Sequence, residues 1–479
     1  MSMAELRTST DSWDELLDSD GNPRQASVEL VQHLQSLGLA ELQQRQDLAE
    51  LDIVGMGITF TVYSDGRGID RAWPFDVIPR VIDAVEWRMI ERGLVQRLRA
   101  INMFIDDVYH EQRVIRDGVF PADMLEQSVN FRKECVGANP KFGVWAHISG
   151  SDLVRDADGT MYVLEDNLRV PSGVSYALEN RAISKRAFAD LFAQQSILPL
   201  DGYTDELNRM LSSLAPVGVT EPTIAVLTPG IYNSAYFEHS FLAQRIGAAL
   251  VEGVDLVVGD DECLYMRTIS GPERVHVVYR RVDDLFIDPE VFHADSALGV
   301  PGLMRAWRAG NVAIANAPGA GVADDKVVYA WVPDLIRYFL DEEPLLPNVP
   351  TYRCVYDDER RYVIDHIQEL VVKPANESGG CGLLIGDRAT RSELDETIAH
   401  IEADPRNWVA QPILTLSTVP TLCEEGIEPR HVDLRPFILS GATNYVSAGG
   451  LTRVALTRGS LVVNSSQGGG SKDTWIVEA

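Results

Sequence analysis

The stretch SDLVRDADGTMYVLEDN, residues 151–167, decides the reading of this chain. Asp158-Gly159 is a strong two-residue hairpin signal, because both residues tolerate positive φ. With that turn, Ala157 faces Thr160, Val154 faces Val163 and Asp152 faces Glu165. Side chains alternate along a strand, so Asp152, Glu165 and Asn167 share one face. Directly opposed Cβ atoms in a sheet lie roughly 4.5–5.5 Å apart, and like charges so placed destabilise it unless something lies between them. A hard divalent cation resolves the conflict. Two carboxylates and an amide oxygen suit magnesium, which completes its shell with water and phosphate. A solvated acidic hairpin in an acidic protein would carry the same residues. Arg169 and then Pro171-Ser172-Gly173 add a cation and a turn beside the acids.

A second informative segment, LVVKPANESGGCGLLIG at 370–386, ends an apolar strand at Lys373 and continues into a loop with Ser378, Gly379, Gly380 and Gly382. Glycines let backbone N–H groups approach phosphate oxygens, and a lysine at a strand end can reach the same phosphates. The lysine precedes the loop, so this is not the GxxxxGK[ST] pattern. A plain β-turn would also fit. Downstream, HVDLRPFIL (431–439) puts Asp433 and Arg435 on one strand face, and GGLTRVAL (449–456) adds Arg453. Arginine forks suit a transferring phosphoryl group, although surface ion pairs look alike in sequence. WVAQPIL (408–414) reads as an edge strand that carries Gln411 and is followed by Ile413.

The bulk composition narrows the classes. The chain has 479 residues, enough for two to four packed lobes, with 45% hydrophobic and 24% charged residues, as in globular proteins. A net charge of −29 argues against sequence-independent nucleic-acid binding and against anionic lipid surfaces. Any phosphate ligand therefore needs a locally basic pocket. The five cysteines (135, 263, 354, 381 and 423) are scattered without a CxxC pair, which fits reduced thiols rather than a disulfide framework or zinc site. No run reaches the roughly 18 apolar residues of a membrane span. The acidic N-terminus does not resemble a signal peptide, so the expectation is a cytoplasmic protein.

Along the chain, residues 1–26 read as a loosely ordered lead-in and 27–50 as a helix. Residues 54–63 read as a strand, 64–76 as a loop with Arg67, Asp70, Arg71 and Trp73, and 77–117 as mostly helix. Helix is also expected over 184–214. From Pro222, strand, helix and strand alternate, which predicts a small parallel α/β lobe. In it Arg280 and Arg281 offer a carboxylate clamp or a solvated basic pair. Strands flank the glycine loop, a helix follows at 391–403, and 409–479 reads as β-rich.

Together these segments resemble the ATP-grasp superfamily, specifically its circularly permuted branch, related to glutathionylspermidine synthetase. In the ordinary family the magnesium motif, an acid followed by Glu-x-Asn, closes the domain. Here Asp152 with Glu165-Asp166-Asn167 comes before the lysine and the glycine loop. YSDGRGIDRAWPFDVIPR (63–80) and VLEDNLRVPSGVSYALENR (163–181) look like runs of bacterial permuted ATP-grasp proteins of unassigned substrate. The resemblance spans nearly the whole chain. It implies an α/β and α+β fold: a mainly helical region over 1–142, a metal hairpin and helix over 143–215, and a pre-ATP-grasp α/β lobe over 216–325. A small lobe with a glycine lid over 326–408 and a return to the large lobe over 409–479 complete it.

The resemblance further implies ATP and one or two magnesium ions as cofactors. Asp152, Glu165 and Asn167 would hold metal. Lys326, after NAPGAGVADD, and Lys373 would bind nucleotide phosphates under the lid at 378–382. Gln411 and Ile413 would sit at the adenine hinge, and Arg435 and Arg453 would face the γ-phosphate and acyl phosphate. The glutathionylspermidine enzyme has an arginine two residues before its first acid. Here that position is Gly150, and Arg169 or Arg453 is the expected substitute. The implied activity is an ATP-dependent carboxylate–amine ligase acting on small-molecule or peptide substrates through an acyl phosphate. A small-molecule kinase on the same scaffold, or a non-catalytic nucleotide-binding protein, is the alternative.

Overall fold

The computed structural model describes residues 12–64, 67–375, 382–460, 463 and 469–478; of residues 60–70 only the backbone is described. The architecture is mixed α/β. Its largest sheet orders the strands Phe75–Asp83, Gly470–Val477, Asn444–Val454, Gly426–Ser440, Ile148–Arg155 and Met161–Asn167, with Thr418–Cys423 paired onto Gly426–Ser440. Only the first of these pairings is parallel. The helix Ala84–Tyr109 packs on this sheet. Asp83 caps it by accepting from the backbone of Val85 at 2.7 Å, which satisfies a donor the first turn leaves free. Trp87, Leu94, Leu98, Ile101 and Ile105 fall on its buried side.

The predicted parallel lobe is present. Ala313–Ala315, Val277–Arg280, Ile224–Leu227 and Ala249–Val251 form a four-stranded parallel sheet in that order. A third sheet orders Tyr352–Arg353, Trp408–Pro412, Leu370–Pro374 and Leu384–Ile385, all antiparallel. Helices Asp357–Asp365 and Arg391–Ala403 accompany it around a separate small core that includes Val363, Val372, Leu394 and Ile401. The helix Lys326–Leu340, which precedes this sheet in the chain, buries Val327, Val328, Trp331 and Leu335 in the main core.

The acidic hairpin forms, in a different register. Asp156 N–H bonds Thr160 O at 3.1 Å, closing a three-residue loop with Gly159 at φ +85°. Val154 therefore faces Tyr162, not Val163. A bulge between Leu153 and Asp152 then shifts the register back and restores the Asp152–Glu165 pair. The bulge is decisive. Without it Asp152 would face Leu164, and the two acids would project from opposite faces of the sheet.

Three expectations are corrected. Residues 75–83 are a strand of the large sheet, not the start of the helix. Val77, Ile78, Val81 and Ile82 are β-branched, and Pro79 lies where the pairing with Gly470–Val477 slips, a position that needs no ladder donor. The presumed loop at 64–76 contains a second strand, Arg67–Ala72, paired with Thr59–Ser64, and the preceding helix runs on to Gly55. The lead-in is packed from Trp13 onward: Asp14 bridges to Thr418, and Glu15, Leu16 and Leu17 are buried.

Candidate active site

Asp152 lies at the centre of a buried charge network. Arg435 forks onto it, with Nε at 2.5 Å from Oδ1 and Nη2 at 2.7 Å from Oδ2. Arg453 Nη2 donates to the same Oδ2 at 2.7 Å and grips Asp433 through Nε at 2.9 Å. The register Asp433–Arg453 between neighbouring strands sets this pair directly opposite each other. Burial would raise the Asp152 carboxyl, but Arg435 and Arg453 outweigh it and hold Asp152 below the usual carboxylate range. Glu165 goes the other way: burial and the Asp152 charge beside it push it up, against Lys326, Lys373 and Arg435. The two carboxyls are directly opposed across the hairpin. Two acids so placed need a proton or a cation between them.

Alternation separates the roles of Glu165-Asp166-Asn167. Asp166 faces away, where Arg97 holds it through Nε at 2.9 Å and Nη2 at 2.7 Å and Ser151 Oγ donates at 2.8 Å. That ion pair locks the hairpin onto the long helix. Asn167 points its Nδ2 to Gly150 O at 3.1 Å, leaving its amide oxygen as the candidate ligand. Among the described residues no three His, Cys, Asp or Glu side chains converge as a metal cluster. The candidate set is two acids and an amide, a hard-oxygen set that fits magnesium. The opposed Asp152–Glu165 pair is where the charge of such an ion would be needed.

Lys373 is buried, and Nζ donates to Gln411 Oε1 at 2.6 Å. Gln411 Nε2 in turn donates to Thr351 Oγ1 at 3.0 Å. Burial, reinforced by Lys326, lowers the Lys373 ammonium to about 8, against Glu165 and Asp152. Lys373, Lys326, Glu165 and Asp152 thus lie within electrostatic reach of one another, from three separate segments of the chain. Ile413 lies just past the Trp408–Pro412 strand, with its N–H on Glu369 O at 3.3 Å. Gly382, at φ +70°, leads into the closing strand; Ser378, Gly379 and Gly380 lie outside the described residues.

Arg169 is placed differently from Arg435 and Arg453. Its Nε reaches Asp324 at 3.2 Å and its Nη1 Asp283 at 3.4 Å. The Arg280-Arg281 pair is neither solvated nor an open clamp. Arg280 pairs with Asp284 at 2.6 Å, and Arg281 with the fully buried Glu238 at 3.0 Å. Trp73 is a core residue, stacked on Tyr176 with centroids 3.8 Å apart.

The sequence reading missed Asn316. Its side chain accepts from His147 N and Ile148 N at 2.8 and 2.7 Å, and donates to Ile148 O and Leu168 O, both at 2.7 Å. It thereby rivets both strands of the acidic hairpin to the parallel lobe. Nothing in the surrounding NAPGAG composition marks it.

The permuted order of acidic hairpin, lysine strand and arginine strands around one charge network is that of a circularly permuted ATP-grasp fold, and the family and its ligase-named relatives support an ATP-dependent carbon–nitrogen ligase. The family model "Circularly permuted ATP-grasp type 2" matches residues 79–455, and the chain belongs to that family. "Uncharacterized protein sll0335" of Synechocystis sp. is 55% identical over 467 residues, 97% of each chain. The protein named "Putative glutamate--cysteine ligase 2-2" of Frankia casuarinae is 42% identical over 97% of this chain, but only 53% of its own length is covered. Among solved structures, a glutathione synthetase-like effector (GSS30) of Globodera pallida, in its apo form, shares the fold. Its TM-score is 0.60 at 12% identity, over 91% of this chain and 97% of that one. Among the described residues no helix is long and apolar enough to cross a membrane.

Proposed function

We propose that this protein is an ATP- and magnesium-dependent carboxylate–amine ligase that acts through an acyl phosphate. The observation that carries the reading is the register that sets Asp152 opposite Glu165 and on one face with Asn167, with Lys326 and Lys373 within electrostatic reach. Asp152, Glu165 and Asn167 would hold magnesium, which would supply positive charge to the phosphate oxygens. Lys326 and Lys373 bind the nucleotide phosphates, and Gln411 and Ile413 border the adenine.

A substrate carboxylate oxygen attacks the γ-phosphorus and ADP leaves. An amine then attacks the acyl carbon, loses a proton, and expels inorganic phosphate. Arg435 and Arg453 are the candidates to meet the charge on the transferring group. The chain's contribution is positioning and fixed positive charge, which phosphoryl transfer chiefly requires.

The names of the Frankia relative and of the solved neighbour suggest amino-acid or short-peptide substrates. The Frankia protein is about twice as long as the matched region, so its named activity is a starting point for assay. The test is ADP release by purified protein with ATP, magnesium and pools of amino acids and peptides. Release that requires both an acid and an amine, with an amide product, supports the ligase. A persistent phosphorylated product indicates a kinase, and no acceptor-dependent release rejects the reading.

A further inference from the structure

Asp324 stands where the separate parts of the site meet. Its Oδ2 accepts the backbone N–H of Leu168 at 2.7 Å and of Arg169 at 3.2 Å, and its Oδ1 accepts Arg169 Nε at 3.2 Å. Those two amides follow Asn167 directly, at the exit of the acidic hairpin. Two residues after Asp324, the backbone N–H of Lys326 bonds Ala375 O at 3.3 Å, two residues beyond Lys373. Between them, Asp325 is buried. It caps Val327 N at 2.9 Å and pairs with Arg406 Nη2 at 2.7 Å, just ahead of the strand that carries Gln411. Asp324-Asp325-Lys326 thus ties the hairpin exit to the Lys373 strand and to the Gln411 strand.

Arg169 belongs to the same junction. Its stem packs against Gly321, where a Cβ would stand 2.9 Å from its Cδ. Its guanidinium is spread between Asp324 and Asp283. Arg435 and Arg453 both reach Asp152, whereas the Arg169 guanidinium is spent on Asp324 and Asp283, away from the acidic pair.

We propose that Asp324 and Arg169 form a positioning pair, which sets the metal-holding end of the hairpin against the two nucleotide lysines without touching the nucleotide. The proposal rests on the nucleotide reading above. It gives Arg169 a different role from Arg435 and Arg453.

The experiment measures binding of magnesium and AMP-PNP by calorimetry, with thermal melts, for wild type, D324A, D324N, R169A and D324A/R169A. Charge-assisted hydrogen bonds to two amides are lost in D324A, so AMP-PNP affinity should fall about tenfold or more. D324N keeps an acceptor for Leu168 N–H and should fall only about threefold. R169A should weaken wild type but change the D324A background by less than about twofold, because the pair acts as one unit. Adenosine, which lacks phosphates, should bind every folded variant equally; a parallel loss of adenosine binding would indicate general unfolding and overturn the positioning role. Wild-type affinity in D324A, or an equal R169A penalty in both backgrounds, would also overturn it. If wild type binds no AMP-PNP, the nucleotide reading fails separately, and hydrogen exchange still reads the link. D324A should speed exchange at Leu168, Arg169 and Val371–Ala375, and unchanged exchange there removes the proposal.

Discussion

Arg435 lies across Gly150: a Cβ at residue 150 would stand 3.1 Å from Arg435 Cδ and 3.2 Å from its Cγ. Arg435 fills the space over Gly150 from the neighbouring strand. Its fork on Asp152 depends on that vacancy. G150A should crowd the Arg435 stem and tilt the fork. Overpacking of one methyl costs about 1 kcal/mol or more of stability. The expected result is a several-fold loss of acceptor-dependent ADP release in a protein that still folds. Full activity in G150A would show that the fork tolerates displacement.

Arg435 and Arg453 should separate stability from turnover. Arg453 is buried between Asp152 and Asp433, and R453M leaves Asp433 without its partner. Removing one member of a buried pair costs about 3–5 kcal/mol, which urea unfolding would read. Arg435 is partly exposed, and Asp152 keeps Arg453 when it is removed. R435M should therefore cost less stability, about 1–2 kcal/mol, and yet lower kcat by about 10²-fold or more. Equal stability losses for the two would contradict the described network.

Lys373 gives a pH signature. With the free ammonium lowered to about 8 by burial and Lys326, the phosphate-binding charged form is lost as pH rises through 8. AMP-PNP affinity should decline above that pH. K373R, charged throughout, should bind without that decline. The stability of the ligand-free protein responds with the opposite sign. From about 8 to the ordinary 10.5 the unfolded chain holds the proton that the folded one has released, so this group's contribution to stability rises with pH. A flat affinity profile from pH 7 to 9.5 would place Lys373 away from the phosphates.

The sequence carried the site more legibly than the path of the chain. Asp152 opposite Glu165 was readable because two register differences cancel: a three-residue loop replaces the two-residue turn, and a bulge at Asp152 restores the pairing. A bulge leaves no mark in hydrophobic alternation. The strand at 75–83 was hidden because a short apolar run next to a long helical pattern has no period of its own. Pro79 and four β-branched residues were the available signal. Arg281 and Asn316 were beyond reach, because their partners, Glu238 for one and the hairpin backbone for the other, lie 43 to 169 residues away.

The packed lead-in yields an acid-stability prediction. Glu15 is buried between Arg80 and Arg155, with Ser417 Oγ at 2.7 Å. Burial alone would raise its carboxyl, but Arg155, Arg80 and Ser417 outweigh it and lower it below 4.5. A lowered folded-state value means stability that is complete above the unfolded value and is lost as pH falls through the folded one. E15Q should remove about 3–5 kcal/mol at pH 7, because two buried guanidinium groups lose their counter-charge. It should also flatten the loss between pH 5 and pH 3 relative to wild type. Arg155 lies on the Asp152 strand, near the loop where Gly159 abuts Trp13, and that end of the hairpin is the one Glu15 braces. The Asp152 end is held separately by Asn316 and Arg435. Folded E15Q should therefore bind AMP-PNP as wild type does. Parallel acid-unfolding curves for the two proteins would show that the Glu15 network contributes nothing across that window.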